Sequence, residues 1–149
     1  MHCVRAVTDN LYWVGANDHR LTLFENIHPI PKGVSYNAYL LLDKKSVLFD
    51  TVDWSACRQL LENIEYLLKG KELDYLVINH MEPDHGASIE EILLRYPNVK
   101  VISTEKAFML MHQFGFDIDE HECIEVKEGD TYSFGEHNVT FVGAPMVHW

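Results

Sequence analysis

The sequence predicts a layered α/β domain with mixed sheets, and three observations predict it. The first third is a series of short β-rich runs. Helical and strand periodicities then alternate between residues 57 and 115. After Gly115 the strand pattern returns.

The opening runs are Leu11 to Gly15, Leu21 to Phe24, Tyr36 to Leu42 and Ser46 to Phe49, split by turn residues such as Asn17-Asp18 and Asp43-Lys44. Pro29, Pro31 and Gly33 mark a loop between the second and third. Cys57, Leu60, Leu61, Ile64, Leu67 and Leu68 then recur at helical spacing, and Gly70 is the stop signal. Leu73 to Ile78 is nearly continuous in apolar residues, as a strand covered on both faces must be. Ser88-Ile89-Glu90-Glu91 has capping-box spacing, so a helix starts there, with Ile89, Ile92, Leu93 and Tyr96 on its inner face and Pro97 ending it. Val99 to Ser103 is a further strand. Thr104 caps a third helix whose inner face is Ala107, Leu110, Met111 and Phe114, closed by Gly115. Strands follow at Cys123 to Val126, Thr131 to Phe134 and Val139 to Val142.

The chain has 149 residues, 47% apolar and 23% charged, enough for one domain with a real core and too apolar for disorder. Its net charge of -11 excludes the clustered cations that nucleic acid or an anionic membrane surface would require. No apolar run is long enough to span a bilayer, and the start Met1-His2-Cys3-Val4-Arg5 lacks the pattern of a signal peptide. The expected compartment is the cytoplasm. Cys3, Cys57 and Cys123 are too widely spaced for a zinc ribbon or thioredoxin-like motif and read as reduced thiols. Residues 139–149 are apolar to the last, which reads as a domain interrupted before its end; the alternative is a final buried strand of a complete small domain.

The segment Asn79-His80-Met81-Glu82-Pro83-Asp84-His85-Gly86 lies between a buried strand and a capped helix, where α/β folds bind ligands. Four potential metal ligands, His80, Glu82, Asp84 and His85, fall within six residues. Pro83 biases Glu82 toward extended geometry, so the segment is expected to be non-helical, with His80, Glu82 and Asp84 on one side and His85 turning at Gly86. One short loop would then serve two adjacent metals. Two imidazoles, two carboxylates and no thiolate fit a non-haem di-iron centre, or a dinuclear zinc or manganese centre. A solvated loop and a metal-free acid/base site are the alternatives.

The pattern His-x-Glu-x-Asp-His resembles the signature of flavodiiron proteins, the A-type flavoproteins that include rubredoxin:oxygen oxidoreductase and flavorubredoxin. Hydrolases of the same superfamily usually carry His-x-His-x-Asp-His, and Glu82 stands where their second histidine would be. The 62 residues separating His85 from His148 match the family's spacing to its next histidine ligand. The opening, Leu11-Tyr12-Trp13-Val14-Gly15 and Gly33-Val34-Ser35-Tyr36-Asn37-Ala38-Tyr39-Leu40, is similar to the family as well.

The resemblance implies a metallo-β-lactamase-like αββα sandwich, of which residues 1–149 would be the N-terminal part. It implies that His80, Glu82 and His148 hold one iron and Asp84 and His85 the other, with a bridging Asp and a final His further downstream. It implies reduction of dioxygen to water, of nitric oxide to nitrous oxide, or both. Electrons would come from FMN on a flavodoxin-like domain absent from this chain, fed by a rubredoxin-like donor, in a head-to-tail homodimer. A metal-dependent hydrolase and a non-catalytic gas-binding sensor are the competing readings. Of the other histidines, His28 is a candidate to stand behind the metal ligands or a solvated loop residue, while His2, His19, His112, His121 and His137 carry no assigned role.

Overall fold

The computed structural model describes residues 2–24 and 26–144. Thirteen strands are named in chain order: β1 Arg5–Ala6, β2 Leu11–Trp13, β3 Ala16–Asp18, β4 Leu23–Phe24, β5 His28–Pro29, β6 Val34–Tyr36, β7 Tyr39–Leu42, β8 Ser46–Phe49, β9 Tyr75–Val77, β10 Lys100–Ser103, β11 Cys123–Glu125, β12 Thr131–Ser133 and β13 Asn138–Thr140. Four helices join them: α1 Cys57–Leu68, α2 Pro83–Gly86, α3 Ile89–Arg95 and α4 Glu105–Phe114, with a 3-10 turn at Trp54–Ala56 leading into α1. No described helix is long and apolar enough to cross a membrane.

The main sheet has the order β1-β2-β7-β8-β9-β10-β11. Its first four strands pair antiparallel, and β8 through β11 run parallel. Parallel neighbours need crossovers, and α1, α3 and α4 supply them. The strand alternation feeds two apolar clusters. Leu40, Leu48, Leu76 and Val101 stand in register across the sheet and pack under α1, α3 and α4 with Leu60, Ile64, Ile92 and Met111. Leu41, Val47, Tyr75, Val77 and Ile102 point the other way, onto the β12–β13 hairpin with Phe134. Tyr75, Tyr132 and Phe134 close that contact, with ring centroids 5.2–5.6 Å apart. Helices, sheet and the second β layer therefore stack as α–β–β, three of the four layers of the expected αββα sandwich.

The hairpin is clamped to the sheet at its turn. Asp43, between β7 and β8, accepts hydrogen bonds from the backbone N–H groups of Glu136 (3.1 Å) and His137 (2.8 Å) and pairs with His137 Nδ1 at 2.7 Å. The Lys45 N–H donates to the Phe134 carbonyl. Burial alone would raise the Asp43 carboxyl, but the bonds from Glu136, His137 and Lys44 outweigh it and hold the group well below the usual carboxylate range. With the folded value below the unfolded one near 3.8, its contribution is complete above that pH and lost as the pH falls through the lower folded value. Asp43→Asn is therefore expected to lower the denaturation midpoint at about pH 7, with the gap from the parent narrowing toward about pH 2. A gap that does not change with pH would contradict this.

Several local expectations need correction. Asn17-Asp18 belongs to β3, because Ala16–Asp18 finds a partner in β6 and the buried Asp18 carboxylate accepts from Arg20 and Leu21 N–H, moving the turn to the residues after it. The run Tyr36 to Leu42 is two strands, β6 on β3 and β7 on β2 and β8, with the break at Asn37-Ala38. The facing break lies at Gly15, where a Cβ would collide with the Tyr36 carbonyl. Phe114 is exposed, since it ends α4 beyond the edge of the core that Ala107 and Met111 reach. Ser88 precedes α3 as expected, but its hydroxyl donates to the Val52 carbonyl (2.8 Å) and does not cap.

Candidate metal centre

The His80–His85 segment sits at the carboxyl end of β9, between the ends of β8 and β10, where three parallel strands terminate side by side. Its backbone is pinned from both sides. Ser103 Oγ donates to the Ile78 carbonyl at 2.6 Å. Thr51 donates both its N–H (2.9 Å) and its hydroxyl (2.5 Å) to the His85 carbonyl.

The segment is not extended throughout, as the sequence suggested. Glu82 is extended (φ -64°, ψ 153°), and Pro83 then opens the single helical turn α2. Proline fixes φ at a helical value and lacks the N–H that a first turn would leave unpaired, so it favours helix at that position while excluding it one residue earlier. The turn places Asp84 and His85 on a tight bend instead of a flat strand, with Gly86 buried behind it.

Two close donor pairs result. His80 Nε2 lies 3.3 Å from Glu82 Oε2, and His85 Nε2 lies 3.5 Å from Asp84 Oδ2. The two imidazole rings are 5.5 Å apart, edge to face. Two donors each about 2.1 Å from one metal stand about 3 Å apart, so either pair matches two ligands of one ion. Asp84 Oδ1 is buried and has no hydrogen-bond partner among the described residues, an acceptor awaiting a cation or a proton donor. This donor set, imidazole nitrogen with carboxylate oxygen, fits iron. Among the described residues no group of three or more His, Cys, Asp or Glu side chains is assembled for a metal ion. His148, the fifth predicted ligand, lies outside the described residues.

The structure adds a residue that the motif did not reveal. Asp50, directly after β8, accepts from Asn79 N (2.7 Å) and Asn79 Nδ2 (3.1 Å), and its Oδ2 stands 3.2 Å from His85 Nδ1. It is buried and left-handed, with φ 58°. A carboxylate only accepts, so it selects the tautomer protonated at Nδ1 and leaves the His85 Nε2 lone pair facing Asp84. The Asp50 bond raises the His85 ring above its ordinary value, outweighing the opposing effect of burial. The available signal was position: an Asp ending a buried strand at the ligand-binding edge of a parallel sheet. His28 is exposed on β5. His137 holds the hairpin clamp, His121 Nδ1 lies 3.0 Å from the Val99 carbonyl, and His2 stacks on Tyr66.

A cleft of about 1120 Å³ opens beside His80 and His85, with Phe49, Val77, Val139 and Phe141 among its apolar walls.

Comparison with known proteins bears on the family and the fold. A nitric oxide reductase from Moorella thermoacetica is 37% identical over 145 residues, 97% of this chain and 36% of that protein. The rubredoxin oxygen:oxidoreductase of Desulfovibrio gigas superposes with a TM-score of 0.90 at 32% identity, over 99% of this chain and 36% of that one. A mutant of the flavo di-iron protein from Thermotoga maritima gives 0.89 at 27% identity, over 100% of this chain and 38% of the other. The chain thus spans a little over a third of the length of these relatives. With the ODP family beta lactamase model matching residues 34–149 and these relatives around it, the chain belongs to that beta-lactamase-like family and, within it, to the flavodiiron proteins.

Proposed function

We propose that this chain carries the di-iron part of a flavodiiron reductase acting on dioxygen, nitric oxide or both. One observation carries the reading: a single loop at a parallel-sheet edge supplies two close imidazole–carboxylate pairs, with Glu82 in place of the hydrolases' second histidine. In this reading His80, Glu82 and His148 would hold one iron, and Asp84 and His85 the other. When bound, the iron pair supplies electrons to the gas two at a time and open positions to hold it.

The chain's own residues do the remaining work. Asp50 fixes the ring of His85, and the Thr51 bonds fix the backbone that carries it. Phe49, Val77 and Phe141 form the apolar part of the neighbouring cleft, beside Lys127, Glu128 and Thr140, and the cleft is wide enough to admit a small gas. In this reading FMN and a rubredoxin-like donor would supply the electrons, and subunits would pair head to tail in the cytoplasm.

The test is consumption of gas by protein loaded with ferrous iron under anaerobic conditions and supplied with reduced flavin. Sustained loss of oxygen, or conversion of nitric oxide to nitrous oxide, in proportion to bound iron is the expected result. Zinc in place of iron, with hydrolysis and no gas consumption, would reverse the assignment. A spectral change on oxygen without turnover would point to a sensor.

A further inference from the structure

A second pocket, of about 350 Å³, opens between β3 and the first two turns of α1, with Asn17, Asp18, Arg20, Ser55, Arg58 and Glu62 among its walls. It shares no lining residue with the cleft beside His80 and His85. In a chain of net charge -11, two of the four arginines line this one pocket.

Each guanidinium is held from one side by a carboxylate. Asp18, 5% exposed, accepts from Arg20 Nε (3.3 Å to Oδ1) and Arg20 Nη2 (3.1 Å to Oδ2), and also from the backbone N–H groups of Arg20 and Leu21. One turn apart on α1, Glu62 Oε1 accepts from Arg58 Nε at 3.0 Å. Arginine carries five N–H donors in a planar fork, and both carboxylates take the Nε side. The outer edges, which include Nη1, are left to a further partner, and the two side chains are 80% and 92% exposed. Ion pairs this exposed add little to stability. Their effect is to fix the planes of the two forks, so less freedom is lost when a ligand binds. Because Asp18 and Glu62 are engaged with the arginines, the pocket presents donors. Asn17 adds its amide N–H groups, since its Oδ1 already accepts from Ser35 Oγ at 2.7 Å.

Two oriented forks fit paired anionic oxygens, the geometry of carboxylates and phosphates. We propose that this pocket binds a small dianion of the carboxylate or phosphate type, held between Arg20 and Arg58. Its volume suits a ligand of metabolite size. The inference does not depend on the reductase reading, because the pocket and the metal loop have no wall in common.

The test is titration of the parent chain with succinate and, separately, with inorganic phosphate at low ionic strength, followed by calorimetry and by backbone amide shifts in NMR. At least one of the two is expected to bind with a dissociation constant below about 1 mM. The amide signals that move should be those of residues 16–20 and 55–62. Arg20→Gln and Arg58→Gln should each weaken binding about 10-fold or more. Arg95→Gln removes the same charge outside the pocket and should leave binding unchanged. Binding of succinate alone would assign the site to dicarboxylates, and of phosphate alone to phosphate compounds. Binding of neither, shifts that map elsewhere, or equal weakening in Arg95→Gln would overturn the site. The shift map of the parent chain decides its location even if a variant failed to fold.

Discussion

Asp50→Ala is expected to destabilise the protein by about 3 kcal/mol and to weaken iron binding about 10- to 100-fold. The carboxylate accepts from Asn79 N and Asn79 Nδ2 and lies 3.2 Å from His85 Nδ1, so its removal leaves three donors without their acceptor. Asn79 is exposed and recovers part of its loss from water, which keeps the cost below the sum of three buried bonds. Alanine is also strained at φ 58°, a conformation that asparagine tolerates. Asp50→Asn should therefore recover about half of the stability while still weakening iron binding, because the amide has one acceptor oxygen where the carboxylate has two. Chemical denaturation together with iron titration separates the two effects. Equal stability and equal iron affinity in Asp50→Ala would show that the carboxylate does not organise the loop.

How much of this was legible in the sequence depended on the range of the interactions involved. The donors His80, Glu82, Asp84 and His85 lie within six residues, so a local pattern displays them all at once. Helices α1, α3 and α4 were equally plain, because each writes its buried face at helical spacing in its own residues. Asp50 was not legible, since a lone Asp after an apolar strand is common and its partners lie 29 and 35 positions on. The same holds for β3, which exists because β6 returns to pair with it and not because Asn17 and Asp18 favour extended chain. At Pro83 the local rule was right about the preceding residue and wrong about the following turn, as the same ring geometry that excludes helix at Glu82 favours it from Pro83 onward. Phe114 shows the opposite error: helical spacing put it on the inner face, but the core ends before the helix does.

The second large effect concerns the ligands themselves. His80→Ala and Glu82→Ala each remove one member of a pair 3.3 Å apart, and each is expected to lower ferrous iron affinity by about 100-fold or more. Neither should greatly change the fold, because both side chains lie at the strand-end rim, outside the packed clusters beneath the helices and the hairpin. Far-ultraviolet circular dichroism checks that the variants remain folded before their iron content is compared. Loss of fold along with loss of iron would assign these residues a structural role.

The most direct test of the whole account is anaerobic iron titration of the parent chain beside His148→Ala, His80→Ala and His112→Ala, with bound iron measured per chain. Imidazoles at 80 and 148 that serve one ion predict that the first two variants lose iron to the same extent. His112, half exposed on α4 and remote from the loop in sequence, should leave binding at the parent level. Iron bound equally by His148→Ala and the parent would contradict the shared site, and with it the assignment of this chain's metal centre.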